Sequence, residues 1–267
     1  MDKTVYIGTE FIPHSHGSTW DFALGPMGLI GGSQYKCVPT FWNSTYIICN
    51  LPAGTGGNLL VNVIVGCCNL ETGQISNFHH PPKRLSYAPP SINTISPDPL
   101  TTRGAEITIR GHNFGMASSM ITMKIGQHID TGVQWLSNTK LTADVPPGGG
   151  AGHVVFITVG EQESTSTLSY KAPVITNVSP TLGGGDLVLD GDEFGPASSS
   201  AWAIQITDTQ TNQVTECVPA KRLSAYTRVK CTYSDLGVAG TCLGKNVTIT
   251  ISGLTSNSML STTKTGR

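Results

Sequence analysis

Two phrases, Ile95-Ser96-Pro97 and Gly111-His112-Asn113-Phe114-Gly115, recur further along the chain as Val178-Ser179-Pro180 and Gly191-Asp192-Glu193-Phe194-Gly195. From Pro97 to Pro180 the offset is roughly 80 residues, the length of one small β-sandwich. No other feature constrains the fold as much, because each copy of a repeat must close a core of its own and then stack on its neighbour.

The copy running from Pro90 to Lys171 is the clearest. Ile92 and Ile95 lead into Ser96-Pro97, a proline-bounded first strand. In Glu106-Ile107-Thr108-Ile109-Arg110 the isoleucines alternate with polar neighbours, the period of a half-buried antiparallel strand. The two glycines of the next phrase can take positive φ, and Phe114 can fold back beneath the turn as a core plug. Further strands are expected at 121–125, 134–136, 140–145 and 153–159, with Pro146-Pro147-Gly148-Gly149-Gly150 as a turn and a final strand ending at Tyr170.

The third copy opens at Pro173-Val174-Ile175 and places strands around 187–190, 204–206, 228–232 and 247–251. The first copy lacks its first strand: Val5-Tyr6-Ile7-Gly8-Thr9-Glu10-Phe11 matches the glycine-phenylalanine corner, with Ile12 where the closing glycine should be. Leu51-Pro52-Ala53-Gly54-Thr55-Gly56 matches the later proline-glycine turn, and Ser86-Tyr87-Ala88-Pro89 the closing phrase. The expected organisation is therefore 1–89, 90–172 and 173–267, joined by short proline-containing linkers that favour stiff stacking. Short strands with frequent turn signals and no helical periodicity make the fold all-β, a series of sandwiches.

These residues resemble tandem IPT/TIG domains, the immunoglobulin-like module of plexin-type ectodomains and some transcription factors. The resemblance rests on the Ser-Pro phrases, the Gly-x-x-Phe-Gly corners and the Val145-Pro146-Pro147-Gly148 turn with its counterparts. The cysteine-bearing turn Cys49-Asn50-Leu51-Pro52-Ala53-Gly54 is most similar to extracellular arrays such as the tiger adhesion proteins of social amoebae. The module carries no catalytic residues, so the resemblance implies a non-enzymatic role.

Charge narrows the function further. Asp, Glu, Lys and Arg make up only 12% of the 267 residues and the formal net charge is −1. The basic residues are scattered, leaving no footprint for nucleic acid or an anionic membrane. Nor is there an apolar run long enough for a helical membrane span. Met1-Asp2-Lys3 leads straight into a strand-like segment instead of a leader, so an extracellular role implies a longer parent protein.

Cys37 and Cys49 fall at places corresponding to Cys217 and Cys231, each pair flanking a strand-turn-strand. Adjacent antiparallel strands can bring such Cα atoms within disulfide reach; the alternative is buried free thiols in a cytosolic protein. Cys67, Cys68 and Cys242 stay unassigned. Three N-glycosylation triplets begin at Asn43, Asn177 and Asn246, and Asn43 lies at a hairpin tip. Cysteine pairs and sequons together point to an oxidising, secretory compartment and an extracellular or cell-surface location.

Other constellations are weaker. His14, His16, His79 and His80 lack companion ligands, so no metal site is expected. Asp186, Asp190 and Asp192 share a strand face and could gather calcium, but their counterparts Glu106, Arg110 and His112 could not. No nucleophile-base pair or phosphate-cradling loop is present, so no enzyme and no cofactor are expected. Trp20, Trp42, Trp135 and Trp202 are candidates for a stacking or contact platform, Trp135 more plausibly core. The leading function is an extracellular recognition or adhesion rod that meets a protein partner or further copies of itself. The alternatives are a self-assembling filament subunit and a carbohydrate-binding accessory module.

Overall fold

The structure, a computed structural model, describes residues 4–8, 27–30, 35–43, 46–65, 74–75, 84–117, 119–126, 128–130, 132–180, 186–196, 202–217, 220–232 and 245–260. Every regular element among them is a β-strand. Repeat one holds β1 (Thr4–Gly8), β2 (Met27–Ile30), β3 (Tyr35–Cys37), β4 (Pro39–Trp42), β5 (Tyr46–Asn50), β6 (Leu59–Val65), β7 (Gln74–Ile75) and β8 (Arg84–Leu85). One sheet is ordered β1-β5-β4; the other is β3-β2-β6-β7, with β8 also on β6.

Repeat two holds β9 (Ser91–Ser96), β10 (Ala105–His112), β11 (Ile121–Ile125), β12 (His128–Asp130), β13 (Gln134–Ser137), β14 (Lys140–Val145), β15 (His153–Val159) and β16 (Gln162–Leu168). Its sheets are β13-β14-β10-β9 and β12-β11-β15-β16. Repeat three holds β17 (Val174–Pro180), β18 (Asp186–Asp192), β19 (Trp202–Asp208), β20 (Val214–Glu216), β21 (Ala220–Ser224), β22 (Arg228–Thr232), β23 (Lys245–Ile251), β24 (Leu254–Thr255) and β25 (Met259–Leu260). They pair as β17-β18-β22-β21 and β20-β19-β23-β24, with β25 on β23. All these strand pairs are antiparallel, the arrangement that lets each sheet bury one face and wet the other.

Three separate clusters of buried side chains lie between the layers, one per repeat. The alternation of β10 buries Ile107 and Ile109 completely, while Glu106 and Arg110 face out. Across the layers Val155, Ile157 and Val159 of β15 close the same core. Leu187, Leu189, Ile204, Ile206, Val247 and Ile249 do the same in repeat three. β-Branched side chains suit such strands, since they pack on a pleated surface with little rotamer freedom to lose. The final strand of repeat two stops at Leu168, short of its expected end; Tyr170 instead bridges to Leu100 and is buried.

Phe114 and Phe194 are fully buried plugs under their corners. The glycines act differently from expectation. Only the closing ones, Gly115 (φ 77°) and Gly195 (φ 74°), take positive φ. The opening glycines are needed for space: a Cβ on Gly111 would sit 1.9 Å from the Ser91 carbonyl oxygen, and one on Gly191 2.0 Å from that of Val174. The same atom would lie 2.7 Å from the Phe114 ring or 2.5 Å from the Phe194 ring. The first strand and the phenylalanine plug thus close on a bare Cα from two sides. Matching backbone bonds finish each corner: Gly111 N–H to Thr139 O (3.1 Å) and Phe114 N–H to Asn138 O (3.0 Å), Gly191 N–H to Thr227 O and Phe194 N–H to Tyr226 O (both 2.9 Å).

The cysteines form Cys37–Cys49 and Cys217–Cys231, each with Cα atoms 5.6 Å apart. Their placement corrects the expectation of adjacent strands. Cys37 ends β3 in one layer and Cys49 sits in β5 of the other. Cys217 follows β20, still bonded to Ile204 of β19, whereas Cys231 is in the facing sheet on β22. The strand-turn-strand between each pair changes layer, so the sulfurs meet inside the core as pins between sheets. Repeat two fills its core between the layers without such a pin.

Two substitutions check these points by equilibrium unfolding of repeat three. Gly191→Ala drives a Cβ into backbone and should cost about 3 kcal/mol, whereas Gly253→Ala, which meets nothing within 4 Å, should cost about 1 kcal/mol for its positive φ alone. Replacing Cys217 and Cys231 together with alanine should remove about 3 kcal/mol, the loop-closure contribution for a ring of this size.

Candidate functional site

In a series of β-sandwiches the places where a side chain can meet a neighbouring unit or another molecule are the joints and the outer faces. At the joint between repeats two and three, Glu193 takes φ 59°, a left-handed conformation that turns its side chain back toward the preceding repeat. Its carboxylate accepts hydrogen bonds from the Thr101 hydroxyl (3.0 and 3.2 Å to its two oxygens), the Thr102 N–H (2.7 Å) and the Thr102 hydroxyl (2.6 Å). Thr102 and Glu193 are buried, at 1% and 9% exposure. Beside them Arg103 pairs with Asp192 and lies 5.0 Å from the Tyr226 ring centroid.

Burial pushes the Glu193 carboxyl upward, but the Thr102 hydroxyl, Thr102 N–H and Thr101 hydroxyl outweigh it and hold the group below the ordinary glutamate value. Asp192 is lowered chiefly by its hydrogen bond from Arg103. Both carboxylates are therefore charged at neutral pH, and the charge is answered by donors of the neighbouring repeat.

The joint between repeats one and two uses the same places. Asn113, equivalent to Glu193, also takes positive φ (61°), and its Nδ2 donates to the Pro89 carbonyl at 2.9 Å. The hairpin tip after β15 meets the turn at 54–57: Gln162 Nε2 donates to Tyr87 O (3.1 Å), and a Cβ on Gly160 would come 2.8 Å from Gly56 N. The tip after β23 meets the equivalent turn of repeat two, where a Cβ on Gly150 would lie 2.9 Å from the Ser252 Cβ. Each turn is held by its own tyrosine, Tyr87 donating to Pro52 O (3.0 Å) and Tyr170 to Pro146 O (2.8 Å). Burial, then the neighbouring Tyr35, pushes the Tyr87 hydroxyl up to about 12, so it stays a donor throughout the ordinary pH range.

One outer face also stands out. Phe41 of β4 is 46% exposed and stacks on Tyr46 of β5, ring centroids 5.4 Å apart at 30°. The outer strands of the equivalent sheets, β13 and β21, carry Leu136 at 50% and Leu223 at 49% exposure.

The remaining sequence candidates fall as follows. Asp186, Asp190 and Asp192 do line one face of β18, but Asp186 binds Lys230 and Thr232, Asp190 binds Arg228, and Asp192 binds Arg103. Each carboxylate already has a cation, and no group of metal ligands occurs among the described residues. Asn43 lies exposed at its hairpin turn. Asn177 is exposed in β17 with its Nδ2 donating to Asp190, and Asn246 is half-buried in β23 between two partner strands. Trp135 and Trp202 are half-buried and pack against their cores, Trp202 beneath the Arg222 guanidinium. The Trp42 side chain, Trp20, Cys67, Cys68, Cys242 and the four loop histidines lie outside the described residues. Sequence reasoning missed the joint role of Asn113 and Glu193; the signal was a polar residue at the left-handed place of a glycine corner, where asparagine is common and glutamate is not.

Comparison with known proteins places these features in a family. The family model for the IPT/TIG domain matches residues 17–80 and 90–172, together more than half of the chain. Fibrocystin-L from Mus musculus is 27% identical over 188 residues, which are 67% of this chain and 4% of that protein's length. Among solved structures, a surface glycan-binding protein from Prevotella bryantii aligns with a TM-score of 0.38 at 13% identity, covering 65% of this chain and 42% of that one. The full ectodomain of mouse nectin-like molecule 4 aligns with a TM-score of 0.26 at 8% identity, covering 99% and 96% of the two chains. Neither score is high enough to identify a fold by itself. The family match covers the Gly111–Gly115 corner and the turns at 51–56 and 146–150, and it is decisive: the chain belongs to the IPT/TIG domain family.

Proposed function

We propose that this chain is a non-enzymatic recognition or adhesion rod, a serial array of immunoglobulin-like units from the extracellular part of a cell-surface or secreted protein. The observation that carries the proposal is the pair of equivalent joints, above all the Glu193 carboxylate held by Thr101 and Thr102 across the boundary. A chain of loosely tethered domains has no need of a buried carboxylate between them. A spacer that presents a surface at fixed reach does.

The two disulfide pins support the oxidising compartment. Contact with a protein partner, or with further copies of the chain, falls on β4, β13 and β21, the outer strands among the described residues, whose half-exposed Phe41, Leu136 and Leu223 offer apolar anchors.

Small-angle X-ray scattering of the full chain tests the stiffness. The wild type at neutral pH should scatter as one defined shape. Glu193→Gln should broaden the pair-distance distribution, because a neutral amide replaces an acceptor-only carboxylate and sets its own N–H groups against the threonine donors. The Glu193 carboxyl lies below its unfolded value of about 4.3, so its contribution is fully present above that pH and is lost as pH falls through the folded value. Wild-type scattering should therefore move toward that of the variant in acid while near-ultraviolet dichroism still reports folded cores. Identical curves for both proteins at neutral pH would remove the rod.

A further inference from the structure

Ladders between the described strands are antiparallel, but the first and last segments of repeat two meet the other way: Leu100 and Tyr170 form a parallel bridge. The Leu100 N–H donates to Ser169 O at 2.8 Å, and the Leu100 carbonyl accepts the Lys171 N–H at 2.7 Å. Asp98 Oδ1 accepts the Ser169 N–H at 3.0 Å. The turn at 146–150 joins both segments, since Tyr170 N–H donates to Gly150 O (2.9 Å) and Gly148 N–H to Thr102 O (3.0 Å). Leu100 and Tyr170 are buried beneath these bonds. Lower on the same seam, Ile92 N–H donates to the Ser164 hydroxyl at 3.2 Å.

A parallel pair fixes the direction of pulling. The chain enters repeat two at β9, reaches Leu100 from below, and leaves above Tyr170. Tension on its ends therefore slides one partner along the other. Bonds lying side by side across such a pair stretch together, whereas a ladder opened from its end loses them one at a time. We propose that the array bears tension and that segment 98–102 is the clamp holding repeat two closed under load, a function that deepens the rod reading above.

Repeat three pulls on this segment by two routes. One is the chain itself, through Lys171 to Leu100; the other is Glu193, bonded to Thr101 and Thr102. While Glu193 holds, Leu100 is drawn along with Tyr170 and the bridge is spared. The clamp also falls where covalent help is missing. Cys37–Cys49 and Cys217–Cys231 limit how far the repeats beside it can extend, and residues 90–172 contain no cysteine. Hydrogen bonds and packing alone hold repeat two against a pull.

The test stretches the full chain from its two ends at constant force and times the release of repeat two. Reductant identifies that step, because it lengthens the release of repeats one and three and leaves that of repeat two unchanged. Lys171→Pro removes the N–H that Leu100 O accepts, and Asp98→Ala removes the acceptor of the Ser169 N–H. Each should shorten the wait about fivefold, the effect of one hydrogen bond that must break before the barrier is crossed. Asp98→Asn keeps the accepting oxygen and should restore the wait. Ser119→Ala deletes the acceptor of the Met116 N–H in the loop facing repeat one, and should leave the wait within about twofold. Glu193→Gln should shorten it, since the bridge then takes the load at once. Equal waits for wild type, Lys171→Pro and Asp98→Ala would overturn the clamp, as would an equally large effect of Ser119→Ala. An unchanged wait in Glu193→Gln would overturn the second route. Neutral-pH scattering of Asp98→Ala should match the wild type. A defined wild-type shape with waits indifferent to 98 and 171 therefore removes the clamp and spares the rod, while loose scattering with the expected waits does the reverse.

Discussion

The approach of a first-strand carbonyl to a bare glycine Cα governs each of the two complete repeats. The Ser91 and Val174 oxygens come so near Gly111 and Gly191 that no side chain fits between them. The space left on the other side is filled by the edge of Phe114 or Phe194. Packing of this density is intolerant of added volume, since a buried ring and a paired backbone have nowhere to move. The corner therefore fixes where the first strand begins its pairing, where β10 and β18 turn away, and how the two layers close over the phenylalanine. The register shifts beside Gly111 and Ile175 lie at this contact.

The same corners make the joints. Once the opening glycine is pinned, the residue before the phenylalanine is forced into the left-handed region, which directs its side chain away from its own core. Asn113 and Glu193 occupy that place and bond backward across the boundary. The proline-glycine turn of the preceding repeat then receives the next hairpin tip. Core closure and repeat stacking are one local geometry used twice, which is how a short linker can define a joint without an extensive interface.

How much of this was legible beforehand follows from the range of each interaction. β11, β14, β15 and β22 match their expected limits because alternation of apolar residues is written within each strand. Phe114 was legible as a plug because its flanking glycines announce a turn. The reason for Gly111 was not, because the clash partner Ser91 lies twenty residues earlier and acts through its backbone. The cysteine pairs could be matched by correspondence, yet their crossing between layers was hidden, since the change of sheet at Val38 leaves no local mark. Glu193 was hidden for the same reason: Thr101 and Thr102 meet it only after two repeats have folded.

The two joints solve one geometric problem by different electrostatic means. Asn113 is neutral and donates one bond to Pro89, and its joint adds the Gln162–Tyr87 bond and close glycine contacts at Gly115 and Gly160 against Thr55 and Gly56. Glu193 places a charge between repeats, and a buried carboxylate left unmatched would cost more than it contributes. Its three threonine donors and the adjacent Asp192–Arg103 pair make the charge tolerable, and they also make the geometry exacting, because a shift of the boundary strands several donors at once. Packing alone would permit neighbouring angles at little cost; a carboxylate that must meet Thr101 and Thr102 together selects one. The second joint is thus selected by a charged group and its donors, and the first by close glycine contacts together with two neutral amide bonds, from Asn113 to Pro89 and from Gln162 to Tyr87.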